Sequence, residues 1–248
     1  MAKQSKFAVI FRKLRRFVVR AVLWFLGVSV AWVLLYRWVN PPITVLQIIQ
    51  GTDDNKAWKS LDEISSELPL AVIASEDQRF LKHWGFDTNA IAAAMEKNKE
   101  GKKVVGASTI SQQTAKNVFL WPSRTWVRKG LEAWFTLLIE TLWPKERIME
   151  VYLNVIEMGP QCFGAEAAAK KYFRKPAAKL SRSEAALIAA ALPQPRKSNP
   201  GKPSGYLSKR GASIQKQMRN VGGVKILPWR EDPSSSKKEK KKEKNDAK

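Results

Sequence analysis

The sequence predicts a mainly α-helical fold preceded by one transmembrane helix, and three observations lead to this prediction. Residues 21–36 contain no charged side chain. From Leu70 onward, alanine-rich runs place apolar residues three and four positions apart, which is the spacing of one helix face. Stretches that alternate β-branched and polar residues, as strands do, are few. A chain of 248 residues, 44% of them hydrophobic, can bury one domain-sized core.

The predicted transmembrane helix covers residues 17–39. At about 1.5 Å per residue this stretch can cross a hydrocarbon core of roughly 30 Å, and Arg20 and Arg37 can reach the lipid headgroups from its ends. The sequence at its C-terminal end, YRWVNPP, has no small-x-small cleavage site, which favours an uncleaved anchor over a signal peptide. Seven basic residues and no acid lie within the first twenty residues. Because basic residues stay on the cytoplasmic side, we expect residues 1–16 in the cytoplasm and everything from Asn40 outside it.

Three further segments complete the predicted organisation. Pro41 and Pro42 stop the helix, so residues 40–59 are predicted to be a connector that includes a short helix. Residues 60–230 are predicted to form the exported domain. Residues 231–248 contain seven lysines, five acids and no large apolar side chain, which is typical of a disordered tail.

Charge and cysteine content limit the classes of function. The net charge of +22 favours an acidic partner. Nucleic acid is not expected, because an exported domain rarely meets it and the sequence contains no recognised binding module. One histidine and one cysteine supply neither the usual zinc ligand sets nor an internal disulfide. We therefore expect His83 and Cys162 to be structural residues.

The segment AVIASEDQRFLKHWGFD, residues 71–87, contains the first candidate for chemistry. Glu76 and Asp77 follow a small apolar run that can desolvate Glu76 and raise the pKa of its carboxyl group. A raised pKa is what a carboxylate needs to act as a general base near neutral pH. The alternative is that both residues are ordinary surface acids at a helix end.

The segment STISQQTAKN, residues 108–117, is predicted to begin a helix. Thr109 followed three residues later by Gln112 matches a capping box. In a helix, Gln112 and Lys116 lie on one face, and Gln113 and Asn117 lie on the neighbouring face. The alternative for these polar residues is a solvated helix surface.

A cluster of basic residues follows. Lys116, Arg124, Arg128 and Lys129 lie within fourteen residues of one another. Arg offers bidentate donors and Lys a mobile point charge, so such a cluster suits a phosphate or pyrophosphate. Phospholipid or nucleic acid would be bound equally well by the same residue types. Glu132 lies one turn after Arg128, and its spacing alone predicts a structural ion pair.

Five segments occur together in an order and spacing typical of one enzyme family. They read EDQRFLKHWGFD, GASTISQQTAKN, RKGLE, KERIMEVYLN and SRSEAALIAAALPQP. Together they resemble the glycosyltransferase domain of penicillin-binding proteins, and the chain as a whole resembles the monofunctional biosynthetic peptidoglycan transglycosylases. The resemblance covers roughly residues 60–210 and the N-terminal anchor.

The resemblance implies a lysozyme-like helical domain with a smaller lobe next to the membrane. It implies that lipid II is polymerised into glycan strands by inverting transfer, with release of undecaprenyl pyrophosphate. Glu76 is implied to be the general base that takes the proton of the acceptor 4-hydroxyl. Glu132 is implied to be the second acid of the catalytic site, and the resemblance leaves open whether it orients basic residues or helps a divalent cation to engage the pyrophosphate. The residues implied to bind substrate are Asp77, Phe80, Ser108, Gln112, Gln113, Lys116, Asn117, Arg124 and Arg128.

The resemblance also implies partners and a location. It places the chain in the bacterial inner membrane, with its catalytic domain in the periplasm, in contact with membrane lipids, lipid II and the growing glycan chain. Cell-division or elongation proteins are further expected partners. No dedicated metal site is expected, and the resemblance leaves open whether Mg²⁺ or Mn²⁺ accompanies the pyrophosphate.

Two other functions compete with this one. A peptidoglycan hydrolase would also use a carboxylate on a helical domain, but it needs a general acid and a water molecule and has no use for a phosphate site. A non-catalytic, membrane-anchored cell-wall scaffold would need none of the chemistry above.

Overall fold

The structure is a computed structural model that describes residues 6–52, 55–99, 101 and 106–229. Its α-helices are α1 (Lys6–Trp38), α2 (Val45–Gln50), α3 (Glu67–Glu76), α4 (Thr88–Lys99), α5 (Ile110–Phe119), α6 (Trp126–Leu142), α7 (Lys145–Val155), α8 (Ala165–Phe173), α9 (Arg182–Ala191) and α10 (Gly205–Asn220). A short antiparallel hairpin joins β1 (Glu157–Gly159) to β2 (Cys162–Phe163). The chain divides into two compact units, Met1–Asn40 and Pro41–Lys248.

The first unit consists of α1. Its segment Ile10–Trp38 has a mean hydropathy of 2.2 and is long and apolar enough to cross a membrane. Phe17 and Trp24 are among many apolar side chains on α1 that are exposed to solvent. Because lipid would cover such a surface, these features support a membrane anchor. The predicted span 17–39 lies almost wholly within α1, and the helix begins earlier, in the basic segment.

The second unit is built around α3. Every residue from Leu68 to Ala74 is buried, so α3 is apolar on all sides and forms the centre of the core. It packs against α9 and α10, whereas α5 packs against α6 and α7. The C-terminal end of α3 meets the N-terminal end of α5, where the backbone N–H of Ile110 donates to Asp77 Oδ2 at 3.1 Å.

Local sequence signals account for several helix boundaries. A capping box begins α5 at Thr109, as the sequence predicts, and another begins α9 at Ser181. Helix α6 ends at Leu142, just before Pro144. Its buried Phe135 stacks on Phe119 of α5, with ring centroids 4.6 Å apart, which holds α5 and α6 together.

The mainly helical class with one N-terminal apolar helix is confirmed among the residues that the structure describes, and it is consistent with the lysozyme-like fold that the resemblance implies. The sequence does not predict the hairpin β1–β2, because its strands are too short to show an alternating pattern. The segment 40–59 contains the short helix α2, and from Pro41 on it is grouped with the second compact unit. The predicted tail 231–248 lies outside the described residues.

Candidate active site

Glu76 is the last residue of α3, where this buried helix reaches a cavity of about 600 Å³. Burial raises the pKa of its carboxyl group, and the negative charge of Asp77 adds to this effect. A hydrogen bond from Gln113 and the positive charge of Arg210 act in the opposite direction. The partial negative charge at a helix C-terminus further disfavours the ionised carboxylate. The predicted desolvation of Glu76 by the preceding apolar run is therefore present.

Gln113 connects Glu76 to the interior of the domain. Its Nε2 donates to Glu76 Oε2 at 3.1 Å, and its Oε1 accepts a longer hydrogen bond, 3.4 Å, from the hydroxyl of Tyr152. Tyr152 lies on α7 and is completely buried. Helix α5 therefore places a neutral amide against the candidate base, and the Tyr152 hydroxyl contacts the other end of this amide.

Asp77 has different surroundings from its neighbour Glu76, although it too lines the cavity. It is only 6% exposed, and both carboxylate oxygens lie within hydrogen-bond distance of His83 Nε2, at 2.8 and 3.0 Å. The Ile110 N–H is its third contact. Asp77 therefore holds the end of α3 to the start of α5, and the expected structural role of His83 is present in this contact.

Glu132 lies on α6 and is 3% exposed. Its Oε2 accepts a hydrogen bond from Arg128 Nη1 at 2.5 Å, which is the ion pair that the spacing predicts, and its Oε1 accepts one from Lys129 Nζ. Burial lowers the pKa of nearby Lys116, and the positive charges of Arg128 and Lys129 lower it further, while the negative charge of Glu132 opposes them. Glu132 thus orders and partly neutralises a dense group of cations.

Most of the predicted anion-binding residues line a second cavity, of about 450 Å³. It is lined by Leu46, Lys116, Asn117, Leu120, Trp121, Pro122, Ser123, Arg124 and Arg128. Asn117 lies one turn after Gln113 and donates from Nδ2 to its carbonyl oxygen at 2.9 Å. Helix α5 therefore contributes to both places, because Gln113 contacts the candidate base and Lys116 and Asn117 line the cation-rich cavity.

Three predicted binding residues lie elsewhere. Ser108 is exposed and lines the Glu76 cavity. Gln112 is buried, and its Oε1 accepts from the Thr109 N–H within the capping box. Phe80 has no exposed surface and packs under the Lys145 ammonium, 4.6 Å from its ring centroid. In this structure the side chains of Gln112 and Phe80 pack inside the domain, and Phe80 has no surface with which it could contact substrate.

Sequence reasoning missed two residues that act on Glu76. Tyr152 lies inside the segment KERIMEVYLN, which contributed to the resemblance without a role for the tyrosine. Arg210 lies on α10, which packs against α3, and no sequence signal connected it to Glu76. Both contacts join residues far apart along the chain.

The residues near Glu132 do not fit a resident divalent cation. Both of its carboxylate oxygens already accept hydrogen bonds from cationic side chains. Lys116 adds a third positive charge close by. Among the described residues, no group of three or more His, Cys, Asp or Glu side chains could hold a metal ion. The arrangement is suited to an anion.

Comparison with known proteins agrees with the resemblance. The transglycosylase family model matches residues 43–219. A biosynthetic peptidoglycan transglycosylase of Shewanella oneidensis is 53% identical over 205 residues, which cover 80% of this chain and 88% of the relative. Proteins of the same name from Stutzerimonas stutzeri and Pseudomonas fluorescens are 50% and 49% identical, over 84% and 89% of this chain and 90% and 99% of their own lengths. The chain belongs to the transglycosylase family.

Proposed function

We propose that this chain is a peptidoglycan glycosyltransferase that polymerises lipid II by inverting transfer, with Glu76 as its general base. The observation that carries the assignment is the half-buried Glu76 carboxylate, whose pKa is raised by burial and which lines an open cavity. Membership in the transglycosylase family and relatives named biosynthetic peptidoglycan transglycosylase support the reaction class.

The two cavities suit the two ends of the transfer. In the proposed reaction the 4-hydroxyl of the acceptor sugar lies against Glu76, and the donor pyrophosphate lies against Lys116, Arg124 and Arg128. Glu76 takes the hydroxyl proton while the oxygen attacks C1 of the donor sugar from the face opposite the leaving group. The bond from C1 to the pyrophosphate oxygen breaks, and undecaprenyl pyrophosphate leaves with the electron pair.

The cation-rich cavity stabilises the charge that develops on the leaving group. Donors that are already oriented lower the barrier, because they need not reorganise as the charge appears. Glu132 supplies this orientation by holding Arg128 and Lys129. We therefore assign Glu132 a positioning role, and no step of the mechanism passes through Mg²⁺ or Mn²⁺.

A lipid-linked substrate fits the apolar surroundings of the cation-rich cavity. Trp121 lines the cavity and is exposed, and Trp126, at the start of α6, is 91% exposed. Leu46 of α2 lines the same cavity, and its neighbours Ile48 and Ile49 are exposed. Exposed aromatic and aliphatic side chains beside cations suit contact with the membrane that carries the substrate.

The proposed location is the bacterial inner membrane, with the N-terminus in the cytoplasm and the catalytic unit in the periplasm. It is supported by the apolar helix α1 and by the basic residues before it. A C-terminal fusion to alkaline phosphatase should be active, because this enzyme needs the periplasm, whereas a reporter that is active only in the cytoplasm should be silent. The opposite pattern would overturn the topology. Contacts with cell-division or elongation proteins remain a prediction of the resemblance.

Incubation of the purified chain with fluorescent lipid II separates the competing functions. A glycosyltransferase forms polymer that muramidase digests, and leaves preformed glycan strands intact. A hydrolase cleaves preformed strands and forms no polymer. A scaffold does neither. We expect polymer from the wild-type chain and almost none from a folded Glu76→Gln variant.

A further inference from the structure

A line of three side chains leads from the core to Glu76. The Tyr152 hydroxyl donates to Gln113 Oε1 at 3.4 Å, and Gln113 Nε2 donates to Glu76 Oε2 at 3.1 Å. The three residues come from α7, α5 and α3. Among the described residues, the Tyr152 hydroxyl and the Glu76 carboxylate have no other hydrogen-bond partner.

The Gln113 amide could take either of two orientations in the same space, because its carbonyl and NH₂ ends have nearly the same shape. With NH₂ towards Glu76, the amide donates to an ionised carboxylate. With the carbonyl towards Glu76, two acceptor oxygens would face each other unless the carboxyl group were protonated and donated in turn. The orientation of the amide is therefore coupled to the protonation state of Glu76.

Tyr152 favours one of these orientations. Burial raises the pKa of its hydroxyl well above the usual value, and the negative charges of Glu76 and Asp77 act in the same direction, so the hydroxyl keeps its proton. That proton needs an acceptor, and in the described part of the chain only Gln113 Oε1 provides one. A flipped amide would leave a buried donor without a partner, which is costly.

We propose that Tyr152 is a positioning residue for the general base: by donating to Gln113 Oε1 it keeps Nε2 against Glu76, which favours the ionised, proton-accepting carboxylate. Glu76 Oε2 is then occupied, and Oε1 is left to receive the proton of the acceptor hydroxyl. This inference rests on the proposed function of Glu76.

Among the described residues, the other charged groups around Glu76 make no hydrogen bond with the Tyr152 hydroxyl. Asp77 lies beside Glu76 and acts to raise its pKa, whereas Arg210 on α10 acts to lower it. Gln113 is neutral and is the contact from α5. Replacing the Tyr152 hydroxyl therefore changes the orientation of one amide and leaves these two charges in place.

The test is the pH dependence of lipid II polymerisation by Tyr152→Phe. Without the hydroxyl the flipped amide becomes accessible, so the ionised form of Glu76 loses its donor for part of the time and its pKa rises. On the acidic limb, the low-pH side of the plot of kcat/KM against pH, the rate falls as Glu76 becomes protonated. This limb should move to higher pH by about 0.5 to 1 unit, so that kcat/KM at a given pH on the limb falls roughly three- to tenfold. The rate should recover towards wild type at alkaline pH, with KM for lipid II little changed.

Three further variants make the test specific. Tyr172→Phe is the matched control, because the Tyr172 hydroxyl is buried without a hydrogen-bond partner among the described residues, and its profile should equal that of the wild type. Replacement of Tyr152 by 4-aminophenylalanine restores a donor and should restore the wild-type limb. In a Gln113→Leu background, Tyr152→Phe should cause no further shift, because Tyr152 acts through the amide.

Circular dichroism of each variant establishes that it is folded. An acidic limb that is unchanged in folded Tyr152→Phe, or an equal loss of rate at all pH values, would overturn the positioning role. If Tyr152→Phe fails to fold, the 4-aminophenylalanine variant serves as the test. An acidic limb of its pH profile that is shifted from that of the wild type would overturn the positioning role. Absence of polymerisation by the wild type, or an acidic limb that survives in Glu76→Gln, would instead overturn the proposed function itself.

Discussion

Both carboxylate oxygens of Asp77 lie within 3.0 Å of His83 Nε2, whereas its neighbour Glu76 presents a half-buried carboxylate to an open cavity. The two adjacent acids therefore have different roles. Asp77 joins His83 and the N–H of Ile110, and so fastens α3 to α5. In the proposed function Glu76 meets the substrate in the cavity that it lines at the end of α3.

Asp77→Asn should mainly reduce stability. In Asn an NH₂ group replaces one of the two carboxylate oxygens. This NH₂ group must face either His83 Nε2 or the N–H of Ile110, both of which are donors. A buried donor left unpaired costs about 1–3 kcal/mol. Chemical denaturation should show this loss, and the exposed Asp62→Asn should not. Polymerisation per folded molecule should fall much less than in Glu76→Gln. A stable Asp77→Asn protein that is as inactive as Glu76→Gln would assign proton transfer to the pair of acids.

Lys116→Ala should weaken the use of the donor more than it affects folding. In the proposed function Lys116 makes a charge-assisted contact with the pyrophosphate, and such a contact is worth about 1.5–3 kcal/mol, so kcat/KM should fall about ten- to a hundredfold. Stability should change little or rise, because burial and the positive charges of Arg128 and Lys129 disfavour the Lys116 cation more than the negative charge of Glu132 favours it. The exposed Lys216→Ala is the control. An unfolded Lys116→Ala protein with normal activity in its folded fraction would contradict the anion site.

Glu132→Gln should disturb both stability and rate. The variant leaves Arg128, which is largely buried, without its anionic partner, and breaking a buried ion pair costs up to about 3–5 kcal/mol. The rate per folded molecule should fall because Arg128 and Lys129 are no longer held in place. Denaturation curves and initial rates measure the two effects separately. Unchanged stability together with a complete loss of rate would indicate a direct chemical role for Glu132.

Glu76→Gln should stabilise the folded chain at neutral pH. The pKa of Glu76 is higher in the folded than in the unfolded state, so its ionisation favours unfolding. The stabilisation that the neutral carboxyl group gives the folded state is fully present at pH values below the pKa of Glu76 in the unfolded chain. It is lost as the pH rises through the pKa of Glu76 in the folded chain. The stability advantage of Gln should therefore be small at pH 4 and larger at pH 8. Denaturation midpoints at these two pH values check the sign, and an advantage that shrinks with rising pH would contradict a raised pKa.

Much of the fold was predictable because its signals are local. The apolar run before Glu76 and the capping box at Thr109 each act within a few residues, and each appears in the structure as predicted. The pairing of Arg128 with Glu132 is likewise a one-turn relationship. Short-range patterns of this kind can be recognised in a single sequence.

The rest of the site depends on contacts between residues that are distant along the chain. Nothing near Tyr152 or Arg210 in the sequence indicates that tertiary packing brings them close to Glu76. The polar residues of α5 look alike in sequence, yet Gln112 caps its own helix while Gln113 reaches the candidate base. Which polar residues face a cavity is decided by packing, and the helical pattern alone does not specify it.

The role of Glu76 is best measured by the initial rate of lipid II polymerisation in Glu76→Gln, at the pH optimum of the wild type. Gln keeps the size of the side chain but removes the basicity needed to accept a hydroxyl proton, and general-base catalysis is worth about a hundred- to ten-thousand-fold. We expect a loss of that size in a protein whose circular dichroism and lipid II binding match the wild type. Near-normal polymerisation by the folded variant would contradict the assignment of Glu76 as the general base.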